Sequence, residues 1–392
     1  MKFIAAIAIA LAACSARPDD GVVLWHAYNG PERAALEQIA ARWNALHPDQ
    51  PLTLVQVPYD AFADKITSAV PNGNGPDLFV YSHDRIGDWA AAGVIEPVEY
   101  WVDDGLAARY RDDALAAMAY QGDLWGLPMA VKCLALFYRT DRVAHPPRTS
   151  DELFAMAPAS NARGSHPLAY ANSDLYQHAP WLHGFGGDVM TADGDIRIDT
   201  PEAAAAMEFS RRLIEKGVSP AETTGPLVET LFNEGKADMA LEGPWFVGDI
   251  AKNVPWAVTT LPIVSETGRP AAPFLSAEGV LMSARAHDKD AAFAVMQFLA
   301  DDASARQRAR DAGQVVPNVH AYDDGALARD ATQAAFRAQL AHTVLIPAAP
   351  AMRMVWTPYM TALAKVQTGG ASPADALAEV EREVRRYAEP SR

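Results

Sequence analysis

Short apolar runs alternate with stretches of helical spacing along the first part of this chain. The runs 22–25, 52–57 and 78–81 are typical of strands that are buried on both faces, as in parallel sheets. Between them, residues 31–46 and 59–69 repeat apolar positions every three or four residues, which indicates helices. This order of strand, helix, strand, helix, strand predicts a doubly wound α/β unit.

A second alternation of strands and helices follows, and then a helical tail. Its predicted elements are strand 168–171, a helix from about 176, helix 201–216, strands 237–241, 258–261 and 278–283, and helices 289–300, 354–366 and 373–387. The sequence therefore predicts two α/β units, and the strand at 278–283 leaves room for the chain to cross back into the first.

The third apolar run ends in a polar cluster, Ser82-His83-Asp84-Arg85, directly after Tyr81. An aromatic ring, a carboxylate and a guanidinium thus stand together at the carboxyl end of a strand, where ligands bind in open α/β sheets. The same residues are compatible with a helix cap at Ser82 and a surface ion pair. This stretch alone does not decide between a binding site and a structural role.

Length and charge narrow the class of protein. A chain of 392 residues indicates two domains. A net charge of -16 argues against nucleic acid or an anionic membrane surface as a partner.

The N-terminus has the features of an export signal. Met1-Lys2 is a short basic segment, residues 3–13 are apolar but too few to span a bilayer, and Leu11-Ala12-Ala13-Cys14 resembles the lipobox of bacterial lipoproteins. We therefore predict a signal peptide at 1–14, lipidation of Cys14 and a tether at 15–21. An ordinary signal peptide that is cut nearby is the alternative.

Cysteine usage follows from this prediction. If Cys14 is acylated, Cys133 is the only thiol that remains, so no intramolecular disulfide can form. Cys133 stands in an apolar context, which is typical of a buried structural thiol rather than a nucleophile.

Aromatic residues at strand ends and in loops stand beside carboxylates and amides. The rings are Trp25, Tyr28, Tyr81, Tyr176, Trp181, Trp245 and Trp356, and the polar neighbours are Asn29, Glu32, Asp84, Arg85, Asp174 and Glu242. A pyranose offers one apolar C–H face that stacks on a ring and a fringe of hydroxyls that bind charged or amide groups. The set as a whole therefore favours a sugar-binding cleft, although any single tryptophan fits a core position.

Motifs for other chemistry are weak. The sequence has no GxSxG, P-loop or Rossmann fingerprint, and His178 and His183 lack the glutamate of a zinc motif. We expect no metal and no cofactor. A glycosidase needs two acids across one bond, and the sequence supplies acids without giving their separation.

Several longer segments carry a resemblance to a known family. They are Gly75-Pro76-Asp77, Tyr81-Ser82-His83-Asp84-Arg85-Ile86-Gly87, Pro128-Met129-Ala130-Val131, Pro146-Pro147-Arg148-Thr149, Gly243-Pro244-Trp245 and Gly279. In these, the chain after residue 21 resembles the extracellular solute-binding proteins of ABC sugar importers, and within them the maltose/maltodextrin-binding proteins.

The resemblance implies roles for individual residues. The matched positions are Tyr81 for a stacking tryptophan, Asp84 and Arg85 for a pair that binds sugar hydroxyls, Asp174 and Tyr176 for a Glu-Pro-Tyr, and Trp245 and Trp356 for two further stacking tryptophans.

Three departures from the family pattern bear on the ligand. Lys132 occupies the place of a sugar-binding glutamate, which reverses the local charge. The first loop lacks the family's Asp-Lys pair, for which Asn29 and Glu32 could substitute. Met360 falls where the family has an arginine.

The resemblance also implies the architecture. We expect a two-lobed periplasmic-binding-protein fold of type II-like topology, with a mixed, mostly parallel sheet in each lobe and a hinge between them. The expected N-terminal lobe is 22–130 plus 278–320, and the C-terminal lobe is 131–277 plus 321–392. Lys132 and Cys133 would lie near the first crossing.

The implied function is a non-enzymatic, monomeric receptor that binds maltose or malto-oligosaccharides between the lobes and delivers them to membrane permease subunits. It would be lipid-anchored in the periplasm or on the outer cell surface. A receptor for another disaccharide, such as trehalose or sucrose, and a secreted carbohydrate hydrolase are the alternatives.

Overall fold

The computed structural model describes residues 21–191 and 194–388. The predicted signal peptide with Cys14, and all of the tether except residue 21, lie outside the described residues. Within the part that is described, no helix is both long and apolar enough to cross a membrane.

The chain alternates strands and helices as the apolar pattern predicts. The strands are β1 Val22–His26, β2 Leu52–Gln56, β3 Leu78–Ser82, β4 Ile95–Glu96, β5 Ala119–Tyr120, β6 Asp123–Leu124, β7 Gly126–Lys132, β8 Ala135–Arg139, β9 His166–Ala169, β10 Ala237–Glu242, β11 Trp256–Thr259, β12 Ile263–Val264, β13 Arg269–Pro270, β14 Phe274–Ser283 and β15 Val344–Leu345.

The helices cover the faces of the sheets. They are α1 Gly30–Leu46, α2 Tyr59–Ala69, α3 Ile86–Ala91, α4 Asp104–Ala107, α5 Asp112–Ala117, α6 Ser150–Ala162, α7 Leu175–Phe185, α8 Pro201–Glu215, α9 Gly225–Asn233, α10 Lys289–Leu299, α11 Asp302–Ala312, α12 Gly325–Ala328, α13 Ala331–Gln339, α14 Met352–Gln367 and α15 Pro373–Ala388.

The first sheet has β1 between β2 and β3, all parallel, as the first alternation predicts. On the other side of β3 lies β14, which runs antiparallel to β3 and to β7 and separates the two. The start of β14 also pairs with β15, and its end pairs with β4. Both faces are covered, since Leu36 of α1 and Phe293 of α10 pack with one side and Phe62 of α2 with the other.

The second sheet has the order β11-β8-β10-β9. Only β9 and β10 are parallel here, because β8 runs antiparallel to both of its neighbours. The sheets are therefore mixed, as predicted, but less parallel than expected. The physical reason is that β8 and β14 each bring the chain in from the other lobe, so they run opposite to the strands that end at the cleft.

Within residues 21–191 and 194–388, the chain passes between the lobes at three places. β7 ends at Lys132 in the first sheet and β8 begins at Ala135 in the second, so Lys132 and Cys133 lie at the first crossing as predicted. β14 returns the chain to the first sheet. After α11 the chain leaves again, and α13 packs against β11 of the second sheet. The numerical lobe boundaries given above stay predictions.

Candidate functional site

A cavity of about 260 Å³ lies where the strand ends of the two sheets meet. The first sheet and its helices contribute Ala27, Tyr28, Glu32, Tyr59, Val80, Tyr81, Ser82, Lys132, Ser276 and Glu278. The second lobe contributes Tyr176 and Trp245. Because the lining comes from both lobes, a ligand in this cavity touches both at once.

The wall from the first lobe is aromatic. Tyr81 stacks on Tyr59, with ring centroids 5.7 Å apart, and on Phe62 at 5.3 Å. Tyr81 is buried, and burial raises the pKa of its hydroxyl well above the usual 10. Tyr59 is 62% exposed, so it presents the most accessible ring of this wall.

The wall from the second lobe is also aromatic. Tyr176, at the start of α7, has its ring centroid 6.3 Å from Trp245 and 6.3 Å from Phe274. Trp245 follows β10 in the Gly-Pro-Trp segment, and its Nε1 donates a hydrogen bond to Glu242 Oε2 at 3.0 Å. A Cβ at Gly243 would lie 2.2 Å from the Trp245 ring, so the ring position requires glycine there.

Charged groups lie between these walls. The ammonium of Lys132 is 2.7 Å from Glu278 Oε2 and joins the end of β7 to the middle of β14. Glu32 Oε1 accepts a hydrogen bond from Gln314 Nε2 at 3.0 Å. Burial lowers the pKa of Lys132, but Glu278 and Glu32 raise it by more, so the pKa lies above its usual value and the ammonium stays charged.

The arrangement changes the significance of Lys132. One ammonium faces two carboxylates, so the reversed charge at this position is compensated within the cavity. Charged donors and acceptors that surround an uncharged ligand are suited to hydroxyl groups. The cavity therefore has two aromatic walls with charged groups between them, which is the composition that a pyranose needs.

Other predicted residues do not line the cavity. Asn29 is exposed before α1 and accepts a hydrogen bond from Gln56 Nε2 at 2.7 Å. Arg85 lies 3.9 Å from Asp88 and is half-buried, as is Asp84. Asp84 makes no hydrogen bond or ion pair within the described chain, so its carboxylate is free to accept hydroxyl donors.

Asp174 and Trp356 also lie outside the cavity lining. Asp174 caps α7, where its Oδ1 accepts from the backbone N–H of Tyr176 at 2.7 Å and of Gln177 at 3.3 Å. Burial raises its pKa against these bonds. Trp356 on α14 has its ring centroid 6.1 Å from that of Phe274. Phe274 thus stands between Trp356 and Tyr176, and the ligand roles of Asp174 and Trp356 stay predictions.

His83 explains why Asp84 and Arg85 stand at this place. Its ring is buried, with Nε2 2.8 Å from the carbonyl oxygen of Ile346, and its Nδ1 accepts a hydrogen bond from the backbone N–H of Ala277 at 3.1 Å. Burial lowers its pKa. A neutral imidazole thus ties the end of β3 to β14 and to the segment after β15, so the next two residues are held in a defined position beside the cleft.

Sequence reasoning missed two lining residues that the structure makes prominent, Tyr59 and Glu278. Tyr59 follows the second apolar run, so the rule that singled out aromatics at strand ends could have found it. Glu278 had no such signal, because it lies inside a long strand and meets Lys132 only through the pairing of β14 with β7.

Two further candidates for reactive chemistry, a thiol and a metal site, find no support in the described residues. Cys133 is buried, and burial raises the pKa of its thiol to about 12. Within residues 21–191 and 194–388, no group of three or more His, Cys, Asp or Glu side chains could hold a metal ion.

Two α/β lobes, three crossings and a cleft lined from both sides define a two-lobed solute-binding protein. A model of the bacterial extracellular solute-binding protein family matches residues 29–306, so the chain belongs to that family. The class assigned from the sequence is confirmed.

Individual relatives agree with this assignment. A maltotriose-binding protein of Pyrococcus abyssi is 28% identical over 343 residues, which cover 86% of this chain and 75% of that protein. A galactooligosaccharide-binding protein of Bacillus subtilis is 25% identical over 397 residues, covering 95% and 93%. The crystal structure of a cyclo/maltodextrin-binding protein with maltotetraose matches with a TM-score of 0.87, at 25% identity over 96% of this chain and 100% of that one.

Proposed function

We propose that this protein is the receptor of an ABC sugar importer and binds maltose or malto-oligosaccharides between its lobes. The observation that carries the proposal is the cavity, which has aromatic walls from both lobes. Between these walls lies a floor of charged groups, Lys132, Glu278 and Glu32, in which the positive charge faces negative ones. Glucose units present the C–H faces and hydroxyls that such walls and such a floor bind. The relatives that bind maltotriose and maltodextrin support this choice of sugar.

The receptor binds its ligand without making or breaking covalent bonds. A ligand that contacts both walls favours the closed arrangement of the lobes, and the closed form is the one that membrane permease subunits recognise. We further propose that the chain acts as a monomer, anchored by a lipid on Cys14, in the periplasm or on the outer cell surface. A Cys14→Ala variant that still fractionates with membranes would contradict the anchor.

Calorimetric titration tests the ligand. We expect maltose and maltotriose to bind, and trehalose, sucrose and a galacto-oligosaccharide to bind at least about tenfold more weakly. A preference for the galacto-oligosaccharide would change the proposed ligand but leave the proposed receptor function standing, since one relative is a galactooligosaccharide-binding protein.

An assay of glucose release separates the receptor from a hydrolase. Purified protein is incubated with maltotriose, and glucose is measured over time. Release at catalytic turnover would overturn the receptor function. A Tyr59→Ala variant serves as the matched control, because it removes the most exposed ring of the cavity wall and leaves the hydrogen bond to the Glu242 carboxylate in place.

A further inference from the structure

A buried carboxyl group stands behind the ring that the second lobe presents to the cavity. Glu242 is the last residue of β10 and is 5% exposed, whereas Trp245 is 46% exposed. Their single hydrogen bond, from Trp245 Nε1 to Glu242 Oε2, is 3.0 Å long. Because nearly half of the ring is exposed, this bond is one of the contacts that fix its orientation.

The backbone between the two residues is built for this contact. Gly243 has no Cβ, and a Cβ there would lie 2.2 Å from two atoms of the indole ring. The ring thus folds back over Gly243, which brings Nε1 to the carboxyl group three residues earlier. The Trp245 ring also has the Tyr176 ring as a neighbour, and the two ring centroids are 6.3 Å apart.

The groups that face the Glu242 carboxyl come from its own segment and from α7. From its own segment, the backbone N–H of Gly243 and the Trp245 indole stabilise the charged form, while Asp249 disfavours it. From α7, the Gln177 amide lies within hydrogen-bond reach, and the Tyr176 hydroxyl interacts with Glu242 electrostatically. The Cys133 thiol, at the first crossing, lies beyond Tyr176 and interacts with it.

Gln177 can serve both protonation states of its neighbour. Its side chain is buried, and its Oε1 has no hydrogen-bond partner within the described residues. An amide group offers two donors on one side and an acceptor on the other, and the two sides have nearly the same shape. It can donate to a carboxylate or, after a flip, accept from a carboxylic acid.

We propose that Glu242 is a positioning residue that holds the Trp245 ring in the cleft when its carboxyl is ionised and releases it when the carboxyl is protonated. We call this pair, Glu242 and Trp245, the latch. That the latch holds the Trp245 ring does not depend on the proposed function, and only the effect of the latch on sugar affinity rests on that function.

Physical chemistry sets the direction of the effect. Burial raises the pKa of Glu242 to about 7 against the opposing hydrogen bonds, so both forms are populated at neutral pH. A hydrogen bond to a carboxylate is about twice as strong as one to a neutral acceptor. The ring is therefore held more firmly at pH 8 than at pH 6.

The first test needs no sugar. The nine tryptophans are labelled with ¹⁵N, and the Trp245 indole resonance is identified by its loss in Trp245→Phe. We expect the Trp245 Nε1–H shift to titrate between pH 5.5 and 8.5 with a midpoint near 7 in the native chain, and to stay flat in Glu242→Gln. A flat Trp245 resonance in the native chain would overturn the proposal.

The second test measures maltotriose affinity at pH 6 and pH 8. We expect about fivefold tighter binding at pH 8 in the native chain, from the difference between charged and neutral hydrogen bonds. Glu242→Gln keeps a neutral acceptor, so it should bind at both pH values as the native chain does at pH 6. Glu242→Leu has no acceptor and should bind more weakly still.

Different results would contradict the proposed function and the role of Glu242. If none of the sugars binds, the proposed function fails while the resonance still decides the latch. If maltotriose binds with the same pH profile in the native chain and in Glu242→Gln, the latch fails and the receptor stands. Should Glu242→Leu not fold, the native chain and Glu242→Gln remain sufficient.

Discussion

Asp84 combines partial burial with a free carboxylate. It follows His83, which ties β3 to β14 and to Ile346, yet its own side chain makes no hydrogen bond or ion pair within the described residues. A side chain without structural partners can be removed without loss of stability. The effect of its removal must then appear in ligand binding.

We therefore expect Asp84→Ala to lower malto-oligosaccharide affinity by at least about tenfold with little change in melting temperature. Each hydrogen bond from a hydroxyl to a charged acceptor contributes about 1.5–3 kcal/mol. Asp64→Ala is the matched control, since Asp64 is an exposed carboxylate of α2 that does not line the cavity. Unchanged affinity, or a large drop in melting temperature, would contradict a role of Asp84 in binding.

Glu242 makes a second prediction, about stability. Its pKa is raised from 4.5 to about 7 in the folded chain, so the folded state holds its proton more tightly than the unfolded state. Stability is therefore lost as pH rises from about 4.5 to 7, by about 3 kcal/mol from this group. Glu242→Gln should remove that loss, which urea denaturation at pH 5.5 and pH 8 would measure.

The quantity to compare is the change in the free energy of unfolding between the two pH values in each protein, because other groups titrate as well. If the native chain and Glu242→Gln lose the same free energy of unfolding between the two pH values, Glu242 does not carry a raised pKa.

At the scale of elements, one ion pair joins β7 and β14 at the cleft in addition to their strand pairing. Lys132 has 35% of its side chain exposed, whereas Glu278 has 13%. Removal of Lys132 leaves Glu278 without its counter-charge, whereas removal of the Glu278 charge still leaves Lys132 facing Glu32. Because Glu278 is the more buried, the loss of Lys132 is the more damaging of the two changes.

We expect Lys132→Met to lower the free energy of unfolding by about 1–2 kcal/mol, which is less than for a fully buried pair because the lysine is partly solvated. Glu278→Gln should cost less, and the double variant should recover most of the loss. Thermal and urea denaturation of the three variants measure the coupling. Additive losses in the double variant would show that the two side chains do not interact.

Elements that are set by neighbouring residues could be predicted from the sequence, whereas features that depend on distant strands could not. α2 spans the predicted residues 59–69, because its apolar spacing is local. The cap of α6 is equally local, since Thr149 Oγ1 accepts from the backbone N–H of Glu152 three residues later. β14 begins earlier than predicted, at Phe274, because polar Ser276 and Glu278 interrupt its apolar run. Partners in β7 and β3 hold those residues in the strand, and no local pattern reports that.

The same distinction applies to the site. Trp245 and Tyr176 could be predicted because aromatics at the ends of elements are visible in the sequence, and the structure brings them together. The partner of Lys132 could not, since Glu278 reaches it only once two distant strands pair.

At the scale of the whole molecule, several contacts join the lobes besides the three crossings. Arg353 of α14 is 2.6 Å from Asp88 of α3, and His83 holds the segment after β15. Gly87 lies so close to this segment that a Cβ would be 2.3 Å from the Ala348 carbonyl oxygen. One flank of the cleft is thus anchored, so we expect closure to proceed as a rotation about that flank.

Small-angle X-ray scattering measures this closure. We expect saturating maltotriose to reduce the radius of gyration, because a ligand that contacts both walls favours the closed arrangement. A sugar that calorimetry shows not to bind is the control. An unchanged radius at full saturation would mean that the ligand occupies one wall only.

The place of β14 in the first sheet also governs the order in which this protein can fold. β14 lies between β3 and β7, yet it is synthesised more than a hundred residues after them. A chain that emerges from the ribosome N-terminus first must keep two strand edges unpaired while the whole second sheet is made. Such late, non-local pairing slows folding and exposes edges to aggregation. The first lobe to be synthesised is therefore among the last parts to be completed.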